Sequence, residues 1–359
     1  MRKCLGMLFA LCLASDASAQ GIGVGVGLDD ILTHPGGGVL GPALDFNFST
    51  GNFRQAGAPG CVSVTTCVTV TRTTTNGSAT NLLPTSLLGQ TITSFGNNVI
   101  RPAVAGGVIV EEARANNLLN ATAPITQTTA SIDCSGSCTL WVNGTGSATP
   151  SAGTATGCSG FAAATQGVPN TFTCVAGTII VTVAGSLNAF QLEIGGFGTS
   201  LCTSGASACS RTGDVITATI VPSIGAAYSI FVSGTPAAPL TTANNQSFLQ
   251  VSDGTNTNRS AIIRGSAGGG GGATPVGTAG ALSNAAFNGT LGGPVLPTGS
   301  LSKGAASYTG ATTVFSAINV GSRPDGLLQL DGTIAHIAIW PTTALTGPVL
   351  QAITSGSNP

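Results

Sequence analysis

The residues of this chain with the capacity for chemistry are few, and the densest group is Glu111-Glu112-Ala113-Arg114. Two carboxylates side by side raise glycoside hydrolysis first, because that reaction needs an acid and a base or nucleophile flanking one bond. The spacing argues against it. Both follow Val108-Ile-Val110, a β-branched run that reads as a strand, and adjacent strand residues point to opposite faces. The reading that fits is structural: Glu111 or Glu112 paired with Arg114 as a turn clasp. Glu193, closing the apolar run Ala189-Phe-Gln-Leu192, is read as a structural carboxylate held by backbone groups or by Arg211, with a calcium or ligand contact as the alternatives.

Other chemistries find less. His34 and His336 have no nucleophile motif beside them, so triad chemistry is not expected. Asp253-Gly254 and Asp331-Gly332 have the composition of tight turns. Either could donate an oxygen to a structural calcium ion, and no other cofactor is expected. Cys134 and Cys138 lack a second pair at zinc spacing, so no metal site is assigned. Sugar binding asks for an aromatic platform with polar partners. Trp141 is the candidate platform, with Asn143 on the same strand face as its polar handle; core packing of the indole is the competing reading. These assignments make the chain non-enzymatic.

Placing those residues requires β structure. Charged residues make up only 6% of the 359, far below the quarter usual in globular proteins, while Thr, Ser, Asn, Gly and Ala do most of the polar and spacing work. Runs such as Val68-Thr-Val-Thr71 and Ile179-Ile-Val-Thr-Val183 recur, and no 3.6-residue periodicity appears, so the fold class is all-β. Strands are expected at Thr139–Val142, Thr171–Thr173, Thr178–Val183, Ala189–Glu193, Tyr228–Val232, Ser247–Val251, Ser260–Arg264, Thr313–Phe315 and Thr333–Trp340. A short closing helix is expected at Pro348–Ile353.

Arg2 and Lys3, the apolar run Leu5–Leu13 and Ala17-Ser-Ala19 have the layout of a secretory signal peptide over residues 1–19. The apolar run is well short of the ~20 residues that span a bilayer. Without Arg2, Lys3 and Asp16, 9 of the 11 basic and 11 of the 12 acidic residues remain, a net charge of −2 that does not suit nucleic acid. Beyond the signal peptide the cysteines are Cys61, Cys67, Cys134, Cys138, Cys158, Cys174, Cys202 and Cys209, an even number consistent with an oxidising compartment. They fall into sequence-adjacent pairs, so the expected bridges are Cys61 with Cys67, Cys134 with Cys138, Cys158 with Cys174 and Cys202 with Cys209, although eight cysteines allow about 105 connectivities.

The Val108–Asn120 block resembles a signature of phage and prophage tail or head-spike virion proteins. Similar blocks follow the order of that family: Val70-Thr-Arg-Thr73, Ala189–Ser200 with Ser210–Val215, then Ser252–Arg259 and Leu330–Pro341. Ile100-Arg-Pro102 stands where the family has an aromatic and acidic stretch. The resemblance covers roughly residues 44 to 355 and implies two β-sandwich domains. Residues 20–43 would form a glycine-rich leader and residues 44–120 an extended β collar. Residues 121–225 would form a carbohydrate-binding-like jelly roll and residues 226–359 a concanavalin A-like, or laminin-G-like, sandwich. The function implied is that of a secreted or cell-surface adhesion protein whose partner is a cell-surface glycan or polysaccharide. The alternatives are a surface or virion decoration protein without glycan affinity, and a polysaccharide-degrading enzyme of concanavalin-like fold. Alternation of Gly with Ile22, Val24 and Val26 leaves a homo-oligomer open.

Overall fold

The computed structural model describes residues 42–55, 61, 63–219, 221–222, 227–236, 246–254, 259–264, 283–290, 294–295, 306–307, 316–327 and 329–341. The signal peptide, leader residues 20–41, the strand at 313–315 and the closing helix at 348–353 lie outside these residues. The fold is all-β. Among the described residues the helical content is the single turn Val64–Cys67, and every strand pair is antiparallel.

Two groups of sheets each enclose a core. In the first, a sheet runs in the order Asn52–Gln55, Leu44–Asn47, Gly332–Trp340, Ala227–Pro236, Ser283–Thr290, and Val108–Val110 pairs with the start of Gly332–Trp340. The partner sheet runs Arg259–Arg264, Gln246–Ser252, Ala317–Val320, Val215–Ala218, Val68–Thr71. Phe46, Val108, Ile230 and Ile337 from one sheet share a core with Val70, Ile216, Val251 and Ile318 from the other. The Val-Thr-Val-Thr run behaves as its alternation requires, with both valines buried and both threonines exposed.

This pairing changes the division of the chain. The segment 44–120, expected as a collar leading into the next unit, instead supplies strands to the sheets formed by residues 215–340. The expected boundary at 225/226 is crossed as well, since Val215–Ala218 pairs with Ala317–Val320. The physical reason is size. The segment's strands are at most four residues long, and strands that short bury too little apolar surface to stand without the longer strands beside them.

The second core lies wholly between Leu118 and Leu192. One sheet runs Thr156–Ser159, Asn170–Gly177, Ile132–Gly144, Leu187–Ile194; the other runs Ala164–Thr165, Ser147–Ala152, Ile179–Ala184, Gln127–Thr128. Leu140, Phe172 and Phe190 meet Ala148, Ile179 and Val181 between them. The chain thus leaves the first core, builds the second in one uninterrupted stretch, and returns.

Disulfides join Cys61 to Cys67, Cys134 to Cys138, Cys158 to Cys174 and Cys202 to Cys209, all between neighbours in sequence. Cys134–Cys138 spans a bulge in Ile132–Gly144, and Cys158–Cys174 ties two paired strands. Four disulfides fit an extracellular, oxidising environment. No described helix is long and apolar enough to cross a membrane.

Candidate functional site

Strand ends and their flanks deliver a large share of the charges among the described residues to one region. Arg72 follows Val68–Thr71, Glu111 and Glu112 follow Val108–Val110, and Arg114 opens Arg114–Asn116. Glu193 sits at the end of Leu187–Ile194, Arg211 closes Cys209–Arg211, Asp214 precedes Val215–Ala218, and Asp331 precedes Gly332–Trp340. Arg101 enters from the connection before Val108. Backbone hydrogen bonding is interrupted at strand ends, which leaves peptide groups free to pair with these side chains.

The centre is a five-membered chain of ions, Arg72, Asp214, Arg101, Glu111 and Arg211. Asp214 Oδ1 accepts from Arg72 Nη1 at 2.9 Å and Asp214 Oδ2 from Arg101 Nη2 at 2.5 Å. Glu111 Oε2 lies 3.0 Å from both Arg101 Nη2 and Arg211 Nη2, as ion pairs without hydrogen-bond alignment to either. Arg72, Arg101, Arg211, Glu111 and Asp214 are all buried. Further bonds run to or from the backbone: Arg72 Nη2 donates to the carbonyls of Gly96 and Val99, Arg101 Nη1 to that of Thr80, Arg211 Nη1 to that of Glu112, and the amide of Glu111 to Asp214. Ser200 closes the site through its amide, 2.6 Å from Glu111 Oε1, and its hydroxyl, 2.5 Å from Oε2.

Charge states follow from these contacts. Burial opposes the charge of Glu111, but Arg211, Arg101 and the two Ser200 donors overcome it and hold the carboxyl at about 2. Burial likewise opposes Arg101, while Asp214 and Glu111 raise its affinity for the proton. Arg72 is lowered, by burial and then by Arg101 beside it. A carboxylate locked this firmly between guanidiniums does not carry a proton at neutral pH, so Glu111 has no use as a general acid.

A second cluster surrounds Glu193. Its Oε1 accepts from the Thr199 amide at 2.7 Å, Gln191 Nε2 at 3.1 Å and Trp141 Nε1 at 3.3 Å; its Oε2 accepts from Thr199 Oγ1 at 2.6 Å. Arg114 Nε is 3.7 Å away. Burial pushes the Glu193 carboxyl up, against Arg114 and the Thr199 donors. Arg114 also pairs with Glu112, stacks over Phe197 at 4.7 Å and donates to the Ile194 carbonyl. Asp331 accepts the Glu112 amide at 2.7 Å, and burial, with Glu112 nearby, raises its carboxyl well above the usual range.

Several sequence expectations change here. The clasp exists between Glu112 and Arg114, whereas Glu111 turns to Arg101 and Arg211. Glu193 meets Arg114 rather than Arg211, because Arg211 is already engaged by Glu111. Trp141 is 1% exposed, covered by Leu82, Ala121 and Leu201, and its indole N–H is spent on Glu193; it presents no face to a sugar. Asn143 is equally buried and donates to the Leu87 carbonyl at 3.4 Å, which removes the polar handle. His336 pairs with Asp45 at 2.5 Å. Among the described residues no cluster of His, Cys, Asp or Glu has the make-up of a metal site.

Arg72, Arg101, Asp214, Thr199, Ser200 and Gln191 were given no role from sequence. A signal for them existed: Arg72, Asp214 and the Gln191–Ser200 group all lie in the blocks quoted for the resemblance, and Arg72 and Asp214 flank β runs in a chain with little charge to spare. Comparison with family models, with curated proteins and with solved structures gave no match.

Proposed function

We propose that this chain is an exported structural protein of a cell or virion surface, a rigid decoration body that works by packing and display rather than by catalysis or by gripping sugars on an aromatic platform. One observation carries the reading: the charged side chains gathered at the site described above, Glu112 apart, are turned inward and consumed by one another. Arg72, Arg101, Arg211, Glu111, Glu193 and Asp214 are buried in ion pairs, and Trp141 is buried with them. Among the side chains described, the large apolar groups left exposed are leucine, isoleucine and valine, and none is aromatic. A surface of Thr, Ser, Asn, Gly and Ala with few charges suits a neutral outer coat. The disulfides fit its exposure to an oxidising exterior.

The test is an array of glycans and bacterial polysaccharides probed with the mature chain from Gln20, with released sugars assayed in parallel. The structural reading expects neither saturable binding nor product, and expects the protein to co-sediment with envelope or particle fractions of the producing cell. Saturable binding would return the adhesion reading through residues outside the described region. Product release that stops on neutralising one carboxylate would establish the enzyme reading.

A further inference from the structure

The geometry points to a self-formed covalent bond: we propose that Thr199 and Gln191 are joined by an ester made by attack of the Thr199 hydroxyl on the Gln191 side-chain amide, with Glu193 moving the proton. The groups such a reaction needs are already together. Thr199 Oγ1 donates to Glu193 Oε2 at 2.6 Å, so a base is in place on the nucleophile. Gln191 Nε2, the nitrogen that would leave, donates to Thr199 Oγ1 at 3.5 Å, which holds the nucleophile against the amide group it would attack. That nitrogen is 3.1 Å from Glu193 Oε1, so one carboxylate touches both the atom that loses a proton and the atom that gains it. The Cys202 amide donates to Gln191 Oε1 at 2.7 Å, where negative charge would develop in the tetrahedral intermediate. Gln191, Glu193 and Thr199 are each at least 98% buried, which excludes water as a competing nucleophile.

The step balances without any outside reagent. The Thr199 Oγ1–Gln191 Cδ bond forms as the hydroxyl proton passes to Glu193. The Cδ–Nε2 bond then breaks as Glu193 returns that proton to the departing nitrogen. Ammonia leaves, and Glu193 is a carboxylate again. Burial supports the chemistry by making Glu193 a stronger base than a solvated carboxylate, partly offset by Arg114. The local purpose is also physical. The two residues bracket Ile194-Gly-Gly-Phe-Gly198, and a segment with three glycines in five residues is costly to hold in one conformation. The inference does not depend on the structural reading above, and failure of one leaves the other standing.

Intact mass of the reduced mature chain, followed by cleavage after Phe197 with chymotrypsin, decides it. The expected result is a mass lower by one ammonia, with the Gln191 and Thr199 fragments still joined and separated by alkaline hydroxylamine, which opens alkyl esters; no Asn-Gly bond, its other target, lies between Gln191 and Thr199. Thr199→Ser should retain the bond, and Thr199→Val and Glu193→Gln should release two free fragments. Ammonia loss confined to an N-terminal Gln20 peptide, or wild-type fragments that separate without hydroxylamine, would overturn the proposal. The wild-type digest gives this answer even where a variant fails to fold.

Discussion

Glu111 is the residue on which the buried charges balance, since two guanidiniums and both donors of Ser200 converge on one carboxylate. Deleting one partner from a buried ion cluster leaves the others unneutralised, a change that typically costs about 3–5 kcal/mol. Glu111→Gln keeps the volume and removes the charge, so at pH 7 it is expected to lower unfolding stability by that order. The pH dependence carries a sign of its own. The folded carboxyl of Glu111 is depressed to about 2, so its stabilisation is present above the ordinary value of 4.5 and is lost as pH falls through the folded value. Glu193 and Asp331 are raised, so their contributions run the other way: present at low pH and lost as pH rises through their folded values. Denaturant melts of wild type and Glu111→Gln between pH 7 and pH 2 separate the two, because only the wild type should show the loss between 4.5 and about 2. Parallel curves would mean that Glu111 is not the group held down.

Among strands, the sequence was informative where β-branched and apolar residues ran together between turn residues. Ile132–Gly144, Asn170–Gly177, Leu187–Ile194 and Gly332–Trp340 each contain a run expected as strand. Partner choice was not legible, because a four-residue strand such as Leu44–Asn47 carries no mark of the distant residues that complete its sheet: its Asp45 pairs with His336, 291 positions away. Trp141 illustrates the same limit. Alternation gave its face correctly as distinct from that of Leu140, but the cover over that face comes from Leu82 and Leu201, distant in sequence. Arg101 was passed over since nothing local distinguishes a buried arginine from an exposed one. Gly107 tests the strand docking directly. Its φ is +92°, and a Cβ there would lie 2.6 Å from the Ile334 carbonyl oxygen, a backbone atom that cannot yield. Gly107→Ala should therefore cost on the order of 1–3 kcal/mol, read from thermal or denaturant melts. An unchanged midpoint would show that Val108–Val110 does not lie against Gly332–Trp340.

For the whole molecule, the consequence is that the first core is discontinuous in sequence and the second is not. Residues 226–359 on their own would lack Leu44, Phe46, Val70, Val108, Val110 and Ile216, all buried in the core they share. They would also expose two strand edges, one where Leu44–Asn47 and Val108–Val110 pair with Gly332–Trp340 and one where Val215–Ala218 pairs with Ala317–Val320. Each missing large apolar side chain costs about 2–5 kcal/mol in a packed core, which together exceeds the whole stability of an ordinary domain. Open strand edges add a route to aggregation. The piece 226–359 is therefore expected to be insoluble or to melt without cooperativity, whereas the chain from residue 42 onward, which restores both edges, should melt cooperatively. Size-exclusion chromatography with near-ultraviolet circular dichroism distinguishes these outcomes. A monomeric piece with a sharp transition would place the boundary back at residue 226 and would make the N-terminal strands an addition to a core that does not need them.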